Sequence, residues 1–430
     1  MLDIRFIREN PDVVQTVAQQ KGIAVSIAEL LEVDAKRRAL LQDVEGLRKQ
    51  RNELSQRIPR LAKEGKKDEI EKTKEDVRGI NASLTEQEAV LQDVETRFGE
   101  LMLLVPNIIS PDTPIGESDE ENVEVRRVGE LPQFDFEIQD HVTLGETYDL
   151  FDFPRGAKVA GTRQYYMKGI GLYLHRAVQQ LAIDVLTERG FTVLDVPVMV
   201  REEMMTNTGF FPLGREQTYE LGRDNAWLVG TSEVPLVSYY SGEVVDVTEP
   251  IRMAGVSNCF RREAGAAGRD TRGLYRVHQF AKVEQVVLCK NDPAVSEAML
   301  QEITKNAEDL LQLLEVPYRV VAVCTGDIGQ GVYKKYDIET WMPSRENFGE
   351  TQSASNLLEF QARRSNIRYR DENGHLQYCH TLNNTAVATP RILIPLLENH
   401  QRADGSIYIP KALRKYLNGL EEIKPGAKLW

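Results

Sequence analysis

Cysteine and histidine are scarce in this sequence. The four cysteines, Cys259, Cys289, Cys324 and Cys379, lie far apart, and there are only six histidines. Without a CxxC pair, neither a disulfide framework nor a zinc site is expected, and the thiols read as structural residues of a reducing compartment. Long apolar runs are missing as well: none approaches the roughly 18 residues that span a bilayer. The opening Met1-Leu2-Asp3-Ile4-Arg5 carries charge where a secretion signal would be apolar. A cytoplasmic chain without a membrane partner is therefore expected. Positive charge is in deficit, with 53 Lys and Arg against 66 Asp and Glu, a formal net charge of −13. That excludes a uniformly basic coat gripping nucleic acid by charge alone. The P-loop and protein-kinase patterns are absent, and Gly169-Ile170-Gly171 lacks the third glycine of a dinucleotide fingerprint.

What is present is a soluble, globular composition, 41% apolar and 28% charged over 430 residues, enough for two to four domains. Charge is unevenly spread. Lys36–Arg78 holds 14 basic and 9 acidic residues, a net of +5 that leaves −18 on the rest. This basic stretch lies inside a helical pattern. Leu40, Val44, Leu47, Leu54, Ile58 and Leu61 alternate spacings of four and three, with Arg51 filling one step. After Glu64-Gly65-Lys66-Lys67 the pattern resumes at Ile70 and continues through Val77, Ile80, Leu84, Leu91, Val94, Phe98, Leu101 and Val105. The two runs predict an antiparallel coiled-coil hairpin over residues 35–104, on the order of 45 Å long. Its tip concentrates Arg48, Lys49, Arg51, Arg57, Arg60, Lys63, Lys66 and Lys67 against Glu53 and Glu64. Such a cluster is either a solvated helix surface or a phosphate-contacting arm. Pro59 predicts a kink or an early helix end.

Prolines 106, 111, 114 and 132, with the acidic Glu117–Glu121, mark residues 106–134 as a linker or docking strap. Residues 1–105 then form one domain and 135–430 another. In the second, Leu172–Arg189 and Pro293–Glu315 read as helices. Short β-rich runs fall at Thr192–Val200, Ala226–Gly230, Ile251–Arg262, Tyr275–Leu288, Tyr318–Cys324, Tyr336–Trp341 and Tyr378–Leu382. Strands that outnumber helices without alternating with them predict an α+β fold on an antiparallel sheet.

The chemistry concentrates in three consecutive runs. Cys259-Phe260-Arg261-Arg262-Glu263 is followed by Gly268-Arg269-Asp270-Thr271-Arg272-Gly273 and then by Arg276-Val277-His278-Gln279-Phe280-Ala281-Lys282-Val283-Glu284. Strand alternation predicts that Arg261 and Glu263 share a face of the first strand and Phe280, Lys282 and Glu284 a face of the return strand, presented together on one surface of a hairpin. These runs resemble motif 2 of class II aminoacyl-tRNA synthetases, and their wording is similar to bacterial-type seryl-tRNA synthetases. The resemblance spans the whole chain. It takes in Met1-Leu2-Asp3, Asp140-His141-Val142-Thr143-Leu144-Gly145, Val196-Pro197, Thr231-Ser232-Glu233-Val234-Pro235-Leu236, Cys324-Thr325-Gly326-Asp327, Phe360-Gln361-Ala362-Arg363-Arg364 and His380-Thr381-Leu382-Asn383.

The resemblance implies a seven-stranded antiparallel catalytic sheet and a homodimer paired through motif 1. It implies ATP-dependent activation of L-serine and transfer to tRNA(Ser), and to tRNA(Sec) where the organism has one. Arg261 would bridge the serine carboxylate and the α-phosphate. Glu263 would meet the adenine amino group, and Phe280 and Arg391 would cover the two adenine faces, with Arg262, Val277, Thr351 and Gln352 completing the ATP site. Glu350 and Ser353 match the Mg2+-contacting pair. Thr231, Ser232 and Glu233 would lie at the ammonium, and Glu284 and Thr385 at the ammonium and hydroxyl ends. Arg48, Lys49, Arg51, Arg57 and Arg60 would hold tRNA on the arm, and Arg269 and Arg272 near the active site. Gly349, Thr351, Gln352 and Pro390 depart from the family wording, whereas Glu350, Ser353, the hydroxyl at 385 and Arg391 keep it. A paralogue that loads a carrier protein would lack the arm, and an inactive scaffold would have lost Arg261, Glu263 or Arg391.

Overall fold

The computed structural model describes residues 1–266, 268 and 270–426. Leu2–Pro106 forms one compact unit, and the chain from Asn107 onward, joined by Met1, forms the other. In the first unit, two short helices precede the long pair α1 (Ile27–Lys63) and α2 (Lys67–Leu104). The Ser26 hydroxyl caps α1 by accepting from the Glu29 N–H at 3.1 Å. The heptad pattern becomes the seam: Val44, Leu84 and Leu91 are buried together, with Leu40, Leu47 and Ile80 packed on them. Thr73 fills the step the apolar pattern skips, and its hydroxyl donates to the Glu69 carbonyl at 2.7 Å.

At the tip, the N–H of Lys66 bonds the Leu61 carbonyl and that of Gly65 bonds the Ala62 carbonyl, at 3.1 and 3.3 Å. This pattern needs a left-handed residue at Gly65, whose φ is +72°. The helix does not stop at Pro59 but runs four residues further. Pro59 is exposed just before the last turn, and Ser55, whose carbonyl it leaves without an N–H donor, is exposed as well.

The second unit is built on an eight-stranded sheet. Its strands are β1 (Val123–Val128), β2 (Thr192–Asp195), β3 (Ile251–Phe260), β4 (Gln279–Cys289), β5 (Tyr318–Ala322), β6 (Lys334–Met342), β7 (Asn347–Asn356) and β8 (His380–Thr389). The order across the sheet is β1-β5-β6-β7-β8-β4-β3-β2. Every pairing is antiparallel except β2 with β3. That is one strand more than the family expectation of seven, and edge strand β1 arises within the segment that reads as linker.

Helices α3 (Gly169–Glu188) and α4 (Pro293–Leu313) cover one sheet face. Leu174, Val178, Leu181, Leu300, Ile303 and Leu310 share a core with Val283, Val287, Leu382 and Ala386. Strand alternation then sends Lys282 and Glu284 to the opposite face. Helix α5 (Leu393–Asn399) follows β8. All four cysteines are buried and free. Among the described residues, no helix is long and apolar enough to cross a membrane.

Candidate active site

A cavity of about 480 Å³ opens on the sheet face away from α3 and α4. Its floor comes from β4, β7 and β8, and its rim from the segments after β3 and β8. Thirteen of the residues singled out in the sequence line it: Thr231, Glu233, Arg261, Glu263, Val277, Phe280, Glu284, Glu350, Thr351, Gln352, Ser353, Thr385 and Arg391.

At one end the groups suit an anion and a flat ring. β3 ends at Phe260, so Arg261 and Glu263 do not share a strand face as the alternation predicts. The chain leaves the sheet there, with Glu263 in the left-handed region at φ +53° and the Ala266 N–H closing a turn on its carbonyl at 3.1 Å. Both residues still reach the cavity. The Arg261 Nε donates to the Gly230 carbonyl at 3.3 Å, and its guanidinium lies 5.2 Å from the Phe280 ring centre. No other hydrogen bond to this guanidinium occurs among the described residues, so its terminal nitrogens stay available as a fork for an anion. Glu263 stands 3.6 Å from Arg276.

Arg391 is fixed from two sides. Its Nε donates to the Tyr275 carbonyl and its Nη1 to the Glu350 carbonyl, each at 3.0 Å, and it lies 4.3 Å over the Tyr275 ring. The Glu350 carboxylate is about half exposed, 3.7 Å from Arg391. Burial would raise its pKa, but Lys335, Arg391, Arg261 and Arg276 outweigh that and hold it below the usual carboxylate range. Ser353 follows on β7, opposite Asp337 in register. Asp337 is buried 2.9 Å from Lys335. Burial pushes it up to about 7 against the pull of Lys335. The Thr351 hydroxyl donates to Gln352 Oε1 at 2.5 Å, so these two departures from the family wording bond each other.

The other end is a buried polar seat. Glu233 Oε1 accepts from Gln361 Nε2 at 2.6 Å and from Asn383 Nδ2 at 2.8 Å. Burial, and then the negative Glu284, push the Glu233 carboxyl up to about 7, opposed by Gln361, Lys282 and Arg261. Glu284 Oε2 accepts from Lys282 Nζ at 2.6 Å and from the Thr385 hydroxyl at 3.2 Å.

The loop between β3 and β4 is held from outside the cavity. Arg272 pairs with Asp140 at 2.9 Å, and the Leu274 N–H donates to His141 Nε2 at 3.1 Å. His141 Nδ1 is in turn 3.0 Å from the buried Glu398 of α5. Gly273, at φ +86°, sits where any side chain would collide with His141.

Some expected site residues lie elsewhere. Ser232 is fully buried beneath the seat, with its hydroxyl 2.7 Å from that of Ser257, because the tight turn into Glu233 points it at the sheet. Arg262 is exposed outside the cavity, bonded by its N–H to the Gln217 carbonyl. Arg269 lies outside the described residues. On the arm, Arg48 pairs with Glu88 at 2.7 Å and Arg57 with Glu69 at 3.4 Å. No ion pair involves Lys49, Arg51 or Arg60 among the described residues. The sequence reading named Lys282, Asn383, Gln361 and Tyr275 within its runs but gave none of them a role in the site. The available signal was spacing: Lys282 stands two residues before Glu284, and Asn383 two before Thr385, each pair on one strand face.

A mostly antiparallel sheet whose cavity joins Arg261 and Phe280 to the buried carboxylates Glu233 and Glu284 is the arrangement expected of a class II aminoacyl-tRNA synthetase core. Family comparison agrees, since the tRNA synthetase class II core domain (G, H, P, S and T) matches residues 218–400. The seryl-tRNA synthetase N-terminal domain matches residues 1–109. A serine–tRNA ligase of Deinococcus radiodurans is 48% identical over 98% of each chain, and one of Rubrobacter xylanophilus is 41% identical over 100% of each. The crystal structure of seryl-tRNA synthetase from Pyrococcus horikoshii complexed with ATP superposes with a TM-score of 0.91, at 37% identity over 99% of this chain and 100% of that one. The chain belongs to the seryl-tRNA synthetase family.

Proposed function

We propose that this chain activates L-serine with ATP to form seryl-adenylate and transfers the seryl group to tRNA(Ser), with the roles that follow. The observation that carries this reading is one cavity joining a buried seat of two carboxylates to an arginine fork and an aromatic face. The serine carboxylate is already an anion at neutral pH and needs no general base. Its oxygen bonds the α-phosphorus of ATP while the bond from that phosphorus to the bridging oxygen breaks, releasing pyrophosphate. Arg261 brings the two anions together through its free guanidinium nitrogens. The chemistry is then mostly positioning and charge neutralisation. Phe280 and Arg391 take the adenine faces and Glu263 the adenine amino group. In the second step, a terminal ribose hydroxyl of tRNA attacks the seryl carbonyl carbon and AMP leaves.

Glu350 and Ser353 would hold Mg2+. Their fit rests on hard oxygen donors and on a carboxylate kept ionised at the cavity mouth, since Mg2+ takes few protein ligands beside substrate phosphates. The ion would neutralise phosphate charge. In the seat, Glu233 takes the ammonium. Glu284, with Thr385, takes the hydroxyl, and alanine would leave that buried carboxylate without its donor. The cations of the arm take the tRNA backbone, and the chain works in the cytoplasm as a homodimer. Val159, Tyr166, Leu172 and Tyr173, exposed on and near α3, support an apolar pairing face.

Incubation with labelled serine, ATP, Mg2+ and tRNA(Ser) tests the reading. Base-labile label is expected on the tRNA, one AMP forming per seryl group, with both lost in Arg261→Gln. Serine-independent AMP formation, or charging by Arg261→Gln at the parental rate, would overturn it.

A further inference from the structure

We propose that Lys282 is the positioning residue of the amino-acid seat, fixing the hydrogen-bonding sense of both Thr231 and Glu284. The inference deepens the serine-activation reading and rests on it. Lys282 is buried on β4, with its Nζ 2.6 Å from Glu284 Oε2 and 2.6 Å from Thr231 Oγ1. A hydroxyl has one donor and two acceptor sites, and an ammonium can only donate.

Thr231 Oγ1 accepts from Lys282 and also from the Glu233 N–H at 3.2 Å. Both its acceptor sites are filled, so only its O–H remains for a ligand. Thr231 can therefore donate to a substrate oxygen but cannot receive the substrate ammonium through its hydroxyl. That task falls to a carboxylate. Glu284 Oε2 is filled likewise, by Lys282 and the Thr385 hydroxyl. Its Oε1 accepts no hydrogen bond among the described residues and is the oxygen left for the substrate.

Charge follows the same division. Two buried carboxylates share the seat, Glu284 paired to Lys282 and Glu233 hydrogen-bonded, among the described residues, to the neutral amides of Gln361 and Asn383. The seat is one cation short, and the substrate ammonium supplies it. Without Lys282, Glu284 would be a second unpaired buried charge and would compete with Glu233 for that ammonium.

The test is pyrophosphate exchange by the full-length chain with Lys282→Met and Lys282→Ala, measuring KM for serine and for ATP separately. Loss of a buried charge-assisted bond predicts a rise in serine KM of roughly ten- to a hundredfold and a comparable loss of preference for serine over alanine. ATP KM should stay unchanged. Ethylammonium added to Lys282→Ala should restore serine KM in a saturable manner, which a merely structural defect would not allow. If these variants do not fold, Lys282→Gln, which keeps a donor without the charge, is measured in the same way, and its serine KM should be raised at parental ATP KM. Unchanged serine KM, or serine and ATP KM rising together without amine rescue, would overturn the role of Lys282. Absence of serine-dependent exchange in the parent chain would overturn the underlying reading instead.

Discussion

Glu233 is a carboxylate that must be charged to hold an ammonium, yet burial and Glu284 push it up to about 7. Serine KM should therefore fall as pH rises towards about 7 and level off above it. Glu233→Gln should raise KM and remove that pH dependence, whereas a parental KM flat from pH 6 to 8 would contradict the assignment. Stability carries the opposite sign. Between the ordinary carboxyl value of 4.5 and about 7, the folded state holds a proton that the unfolded chain has lost, so unfolding free energy falls as pH rises through that window. Thermal melts of Glu233→Gln should lack this slope. At this scale the sequence picked out cavity-lining residues wherever one sat inside a distinctive run, as Arg261, Phe280 and Glu284 do. It placed Lys282 beside Glu284 but gave it no role, because a lysine two residues from a glutamate on a strand looks the same as a surface ion pair.

The long elements were legible because their burial is periodic. Val44, Leu84 and Leu91 are spaced by the packing of α1 on α2, so the seam could be read directly. β7 was not read as a strand, although it carries Glu350 and Ser353. Asn347–Asn356 has no β-branched residue except Thr351, because much of it faces a polar cavity rather than a core. The amphipathic signal is erased where the site is made. β1 was missed for a related reason: as an edge strand it leaves Val123 and Val125 exposed, and prolines flank it. The arm offers a test of its own. Lys49, Arg51 and Arg60 all lie on α1, and changing the three to Gln should raise tRNA KM at least roughly tenfold and flatten its dependence on salt by about 0.7–0.9 per lost phosphate contact. Serine-dependent pyrophosphate exchange should be untouched. Equal loss of both activities would count against the arm as the tRNA-binding element.

For the whole molecule, the net charge of −13 conceals a division into a basic stretch of +5 and a remainder of −18. An acidic remainder repels a polyanion, so the basic stretch is where the proposed tRNA contact would be attractive. The basic stretch lies within the first compact unit, whose remaining residues are net acidic, and the cavity lies in the second. The seat and the nucleotide end lie in a single cavity of the second unit, so amino-acid activation should proceed without tRNA. The most direct test of the account is pyrophosphate exchange into ATP by the purified chain across serine, alanine, threonine and glycine, with no tRNA present. Exchange with serine, falling by at least roughly a hundredfold in kcat/KM with alanine as the seat loses its hydroxyl partner, is the predicted result. Exchange indifferent to the amino acid, or absent with serine, would contradict it.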